Sequence, residues 1–209
     1  LHPPVAPWAA PAPLRSHGPA QLAERAQAEG ANVLIVEADQ IKDEVLELPL
    51  LAVASTRGEP NNVDIPACTA AGIPVLNTPG RNADAVAEMT IALLFAANRH
   101  LMQADSDVRN GQVYSGGTIP YQRFRAWELS GRTAGIVGLG AIGRALKWRL
   151  EGLGRKVISY DPFNPQATHS FEDLLAEASI VSMHAPVLDE TKAMMGAKQF
   201  AMMPEGSIY

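Results

Sequence analysis

The 209-residue sequence contains a single cysteine, Cys68. No disulfide can close within the chain, so a cross-linked secreted scaffold is excluded and a reducing cytoplasm is the simplest home. Basic charge is also scarce: 17 Lys and Arg against 22 Asp and Glu leave a formal net charge of −5. Without a basic stripe there is no footprint for nucleic acid or for an anionic membrane surface. Aromatic residues make up only 6% of the chain, too few for a base-stacking platform. Long apolar runs are missing as well. The uncharged stretch around Leu93 covers only residues 89–98, well short of the ~18 residues of a membrane span. No Cys/His cluster has metal-ligand spacing, no Gly-x-Ser-x-Gly elbow is present, and there is no internal repeat. The first residue is Leu, and residues 1–14 lack the basic flank of a signal peptide, so the natural N-terminus is expected to lie upstream.

What is present is a core-forming composition, 47% hydrophobic, with a clear order of elements. Residues 1–18 carry Pro3, Pro4, Pro7, Pro11 and Pro13 and are expected to be irregular or extended. A short helix is predicted over residues 21–29, ended by Gly30. Short apolar strands follow at residues 33–37, 51–55 and 74–77, separated by helix-like segments, which argues for a parallel sheet in an α/β unit. Between Ala83 and Ala97 only Asp84, Glu88 and Thr90 are polar. A helix apolar on nearly every face is buried, or packs at a domain or subunit junction. Residues 110–129 read as a loop-rich connection. A second α/β pattern then begins: strands at 133–137, 156–160 and 179–183, helices at 141–153 and 171–178, and the opening of a further strand at 206–209.

The strongest chemical signal is Gly138-Leu-Gly140-Ala141-Ile142-Gly143, set between a predicted strand and the helix it opens. The first glycine permits a tight turn, the second lets a pyrophosphate approach the backbone, and the third lets helix and strand pack closely. Free N–H groups at the helix start then hold the phosphates. The next strand ends in Asp161, 18 residues past Gly143, where a carboxylate can accept hydrogen bonds from the adenosine ribose. The plainer reading of Asp161 is a strand-end cap before Pro162. As a ribose ligand it also repels a 2′-phosphate, and Pro162, Phe163 and Asn164 bring no arginine to bind one, which favours NAD over NADP.

Several further runs occur in order: Asn62-Val-Asp64, Ala71-Gly-Ile-Pro-Val75, Asn77-Thr-Pro79, Asn82 and Val86-Ala-Glu88, then the glycine turn, Tyr160-Asp-Pro162, His184-Ala185-Pro186 with Glu190-Thr191, and Met203-Pro-Glu-Gly-Ser-Ile208. With these the chain resembles the D-isomer-specific 2-hydroxyacid dehydrogenases, phosphoglycerate dehydrogenase among them, over about residues 33–209. The resemblance implies an α/β protein with a Rossmann-type doubly wound coenzyme domain and a smaller flavodoxin-like substrate domain, both incomplete. Residues 1–80 would belong to the substrate domain. Residues 81–209 would form the NAD-binding domain, with a linking helix over 81–105.

It further implies an oxidoreductase that interconverts a 2-hydroxy acid and a 2-keto acid with NAD as hydride carrier, a phosphoglycerate- or glycerate-like substrate being the first guess, and a homodimer. Substrate carboxylate would meet N–H groups of the loop Arg57-Gly58-Glu59. Gly58 would lie near substrate and nicotinamide, although it also reads as a simple turn residue, and Arg57 would add positive charge or point to solvent. Asn82 would orient substrate, or merely cap the helix it precedes. Glu88 is expected to be structural. His184, Ala185, Pro186 and Thr191 match cofactor-contact positions and also fit an ordinary strand-to-helix loop. His184 is not expected to be the proton donor: the resemblance places the catalytic arginine, carboxylate and histidine beyond Tyr209, so this stretch alone is expected to be an inactive fragment. His2, His17, His100 and His169 sit in no motif, and Cys68 reads as a small core residue. The rival from another class is a non-enzymatic NAD-sensing protein, since fold and coenzyme site do not separate the two.

Overall fold

A computed structural model describes residues 16–209. The expected irregular opening lies almost wholly outside that range; residues 16–18 are in no regular element. The chain divides into two compact units, Leu1–Arg81 and Asn82–Tyr209.

In the first unit, helix α1 (Pro19–Ala28) starts on a proline that needs no partner for its missing N–H, and Gly30 follows it at φ +63°. Strands β1 (Val33–Val36), β2 (Ala52–Ser55) and β3 (Val75–Leu76) pair in parallel in the order β1-β2-β3. Helix α2 (Ile65–Ala70) connects the last two and is capped by Asp64, whose carboxylate accepts the Ala67 N–H at 3.0 Å. One face of the sheet, through Leu34, Val36 and Val53, packs on Leu22, Ala26 and Val45, with Cys68 fully buried among them. The opposite face leaves Ile35 73% exposed, where parallel sheets are ordinarily covered on both sides.

The second unit opens with α3 (Ala83–Asn98) and α4 (Leu101–Arg109). The single linking helix expected over residues 81–105 is corrected here. His100 takes a left-handed conformation (φ 53°, ψ 36°), which ends α3 and restarts the chain as α4. No proline or glycine marks that break, so residue pattern alone does not show it. Between α4 and the sheet lie a turn of 3-10 helix at Ser115–Gly117 and the single turn α5 (Pro120–Arg123).

The sheet follows as β4 (Thr133–Val137), α6 (Ala141–Gly152), β5 (Lys156–Tyr160), α7 (Phe171–Glu177), β6 (Ile180–Met183) and α8 (Ala197–Met202). Helix α8 has no counterpart among the sequence expectations. The strand order is β5-β4-β6, all parallel, and Ile208 pairs with Ile180 where a further strand was expected to open. Apolar layers cover both faces: Ala87 and Leu94 of α3 with Leu146 and Leu150 of α6 on one side, and Leu174 and Leu175 of α7 on the other. Two glycines let the helices close on the central strand. A Cβ on Gly135 would stand 2.6 Å from Leu174 Cδ2, and one on Gly143 would stand 2.1 Å from Gly138 O. Arg149 ties α3 to α6 through Asp84 (2.9 Å) and Glu88 (3.4 Å), the structural part expected of Glu88.

Candidate functional site

Chain order places the site in the second unit. The first strand, β4, sits in the middle; the chain goes to one side for β5 and to the other for β6. The carboxyl end of β4 is therefore the topological switch point, the crevice where open α/β sheets take their ligands.

The glycine turn stands there, and its three glycines differ physically. Gly138 has φ +91°, and a side chain on it would come within 2.8 Å of Ala185 N and of the His184 carbonyl. Gly143 is closed off by the Gly138 carbonyl. At Gly140 a Cβ would meet nothing within 4 Å, and the backbone is ordinary (φ −73°, ψ −160°). The fold thus requires glycine at 138 and 143, but not at 140. A group that must come close to the backbone there, such as a pyrophosphate, supplies the missing reason. The N–H groups of Gly140, Ala141 and Ile142 find no acceptor among the described residues and stand at the start of the 12-residue helix α6. A dinucleotide fits this cradle.

Asp161, at the end of β5, reaches back to the same turn. Its carboxylate accepts the Leu139 N–H at 2.8 Å and the Phe163 N–H at 2.9 Å. It is thus a cap, as its plainer reading had it, and it also stands beside the glycine turn, where a ribose ligand is needed. On the other flank, the His184 N–H donates to Val137 O at 2.7 Å, which brings the His184–Ala185 backbone against Gly138. The His184 ring turns away. Its Nε2 lies 2.9 Å from Ser182 Oγ, and both residues line a cavity of about 410 Å³ with Thr90, Leu93, Leu146 and Tyr209. Burial lowers the His184 pKa from its ordinary 6.5. The Thr191 hydroxyl donates to Pro186 O at 2.5 Å and accepts the Leu188 N–H at 2.8 Å, so Pro186 and Thr191 staple their own loop.

In the first unit, the loop after β2 is held by side chains. Asn77 donates to Gly58 O at 2.7 Å, and Thr78 donates to Thr56 O at 2.9 Å through its hydroxyl and to Arg57 O at 3.0 Å through its N–H. The loop's carbonyls are occupied, while the N–H groups of Gly58 and Glu59 find no acceptor among the described residues. A Cβ at Gly58 would sit no closer than 3.8 Å to any atom, so glycine there is not a packing requirement. The Arg57 guanidinium is fixed to Glu37 O (2.7 Å) and Asn61 Oδ1 (2.6 Å) rather than pointing freely to solvent. Asn62 bridges Ser55 and the Asp39 carbonyl and is structural. Asn82 occupies the N-cap position of α3, but its side chain makes no capping bond, so capping does not account for it.

Sequence reasoning missed Asn77 and Thr78 as supports of the loop after β2, and Arg144 and Asn164 beside the glycine turn. Each is a common surface residue type, and only the fold shows what it touches. Among the described residues, no group of three or more His, Cys, Asp or Glu could hold a metal ion. No described helix is long and apolar enough to cross a membrane.

Comparison with known proteins agrees with the geometry. Residues 91–209 match the family model described as D-isomer specific 2-hydroxyacid dehydrogenase, NAD binding domain. The glyoxylate reductase of Thermococcus litoralis is 37% identical over 199 residues, covering 90% of this chain and 60% of the reductase. A solved structure from Polaromonas, assigned to the D-isomer-specific 2-hydroxyacid dehydrogenases, superposes with TM-score 0.80 at 32% identity, over 91% of this chain and 62% of that one. An NAD⁺-bound 3-phosphoglycerate dehydrogenase from Entamoeba histolytica does so with TM-score 0.67 at 29% identity, over 87% and 55%. The chain spans about three fifths of the length of such relatives. It belongs to the D-isomer-specific 2-hydroxyacid dehydrogenases, and its second unit carries their NAD-binding fold.

Proposed function

We propose that this protein is an oxidoreductase that interconverts a 2-hydroxy acid and a 2-keto acid with NAD. The observation that carries the reading is the glycine turn at the switch point: closed at Gly138 and Gly143, open at Gly140, with Asp161 beside it. Bound NAD supplies the hydride acceptor. The chain binds the pyrophosphate with the free N–H groups at the start of α6, takes the ribose hydroxyls on Asp161, and refuses a 2′-phosphate by the same carboxylate. The free N–H groups of Gly58 and Glu59 suit a substrate carboxylate, with the Arg57 charge fixed nearby. The uncapped amide of Asn82 is available to orient substrate. His184 has no proton-transfer part in this reading, because its ring faces an apolar cavity.

A glyoxylate reductase and a 3-phosphoglycerate dehydrogenase among the relatives leave the acid open. A phosphoglycerate- or glycerate-like substrate is our choice, on the strength of Arg57 and Arg81. The test is a panel of glycerate, 3-phosphoglycerate, lactate, formate and glyoxylate, each assayed by NADH absorbance with the purified full-length protein, since this stretch alone is expected to be inactive. Turnover of a 2-hydroxy acid or its keto partner is expected. NAD binding without turnover on any of them would replace the enzyme by an NAD-sensing binding protein.

The assembly we propose is a homodimer. Helix α3 packs on α6 and still leaves Met89 59% and Leu93 61% exposed, apolar area that a second copy would cover. A monomer by sedimentation at micromolar concentration with full activity would rule it out. The single buried thiol, Cys68, fits a cytoplasmic setting.

A further inference from the structure

Leu139 is held at both of its peptide groups. Its carbonyl oxygen accepts from Asn164 Nδ2 at 3.0 Å and from Arg144 Nη1 at 3.0 Å. The preceding N–H, on Leu139, donates to Asp161 at 2.8 Å. The Leu139 side chain, 1% exposed, anchors the same residue in the core. In a trans peptide the C=O and the next N–H point in opposite directions within one plane. Two donors on the Leu139 oxygen therefore fix where the Gly140 N–H points. That N–H has no acceptor among the described residues, and a Cβ on the same residue would meet nothing within 4 Å.

We propose that Asn164 is a positioning residue for the coenzyme: it aims the Gly140 N–H at the pyrophosphate, with Arg144 as its partner on the same oxygen. This rests on the NAD-binding reading above and goes beyond it. The Asn164 amide is fixed in orientation because its other end is also used, Oδ1 accepting the Gln166 N–H at 3.0 Å. Asn164 stands three residues after Asp161 in the same loop, and its own N–H donates to Asp161 O at 3.3 Å. One loop thus carries both the group that meets the ribose and the group that sets the pyrophosphate's donor. The two halves of the adenosine diphosphate are read together.

The test uses three ligands on the purified protein: NADH, ADP-ribose and adenosine. Asn164→Ala is expected to weaken NADH and ADP-ribose about five- to tenfold, the size of one lost hydrogen bond near a charged ligand. Adenosine, which lacks the pyrophosphate, is expected to bind as before. Asn164→Asp sets a carboxylate against the Leu139 carbonyl and is expected to weaken ADP-ribose further than Ala does. Because two donors share one oxygen, Asn164→Ala with Arg144→Met is expected to lose more than the product of the single losses. Thermal midpoints of all variants separate positioning from general unfolding. Unchanged ADP-ribose affinity in the Asn164 variants, or an equal loss for adenosine, would overturn the positioning role while leaving the coenzyme site standing. Failure of the unaltered protein to bind ADP-ribose or NADH would instead overturn the NAD reading, and this inference with it.

Discussion

Two loops of this chain, each following the middle strand of a parallel sheet, offer free backbone N–H groups by opposite means. After β4 the turn is shaped by the main chain. Gly138 has a left-handed φ, and Gly143 is wedged against the Gly138 carbonyl. After β2 the loop needs no special backbone at Gly58, and Asn77 and Thr78 hold its carbonyls from outside. A main-chain device leaves a spacing of glycines that can be read in one dimension. A side-chain device leaves only ordinary Asn and Thr some twenty positions away, which resemblance alone can single out.

The largest effect expected from this contrast is on folding. Gly143→Ala places a Cβ 2.1 Å from a backbone oxygen that cannot swing aside. Overpacking of this kind costs about 1–3 kcal/mol or more, so a thermal midpoint lower by roughly 2–4 °C per kcal/mol is expected by calorimetry. Gly140→Val is the partner experiment. It is expected to keep the midpoint within a few degrees and to abolish NADH binding measured by fluorescence, because its side chain fills space only a ligand needs. Equal thermal losses in the two variants would erase the distinction between the glycines.

Asp161→Ala comes next. It is expected to narrow the preference for NAD over NADP, read as the ratio of kcat/KM values. It is also expected to weaken NAD itself, because the Leu139 N–H loses its acceptor. An unchanged ratio would confine Asp161 to capping. A smaller effect is expected for Gly58→Ala. The added methyl finds only ordinary contacts at 3.8 Å or beyond, so stability is expected to hold while the KM for the 2-hydroxy acid rises. An unchanged KM would show that substrate does not approach this loop.

The smallest effect is a pH dependence. Burial lowers the His184 pKa in the folded protein below its ordinary 6.5. Between the two values the unfolded chain binds the extra proton, so stability falls as pH drops below about 6.5 and levels off past the folded value. His184→Gln is expected to flatten that part of the midpoint-against-pH curve. A slope unchanged by the substitution would assign it to another histidine.

Much of the second unit was legible because its chemistry is local. Alternation of short apolar runs with helical segments located β4, β5 and β6 within a residue or so, and the spacing from Gly143 to Asp161 pointed to a nucleotide. The break at His100 was not legible, since a histidine carries no bias strong enough to announce a left-handed turn. Nor was the direction of the His184 ring. Strand alternation puts Ser182 and His184 on one face, but only the packing of α3 and α6 says that this face is a cavity wall.

The sequence by itself determined the α/β class, the place of the glycine turn, the carboxylate that follows it and NAD as the coenzyme. These depend on backbone sterics and on the charge of residues a short, regular distance apart. Only the tertiary structure decided which of the three glycines the fold itself requires, that the Asn82 side chain does not cap its helix, and that Asn164 and Arg144 converge on one carbonyl oxygen. Those facts depend on close approach between positions far apart along the chain, Gly138 to Ala185 and Leu139 to Asn164 among them, and no one-dimensional pattern records such a distance.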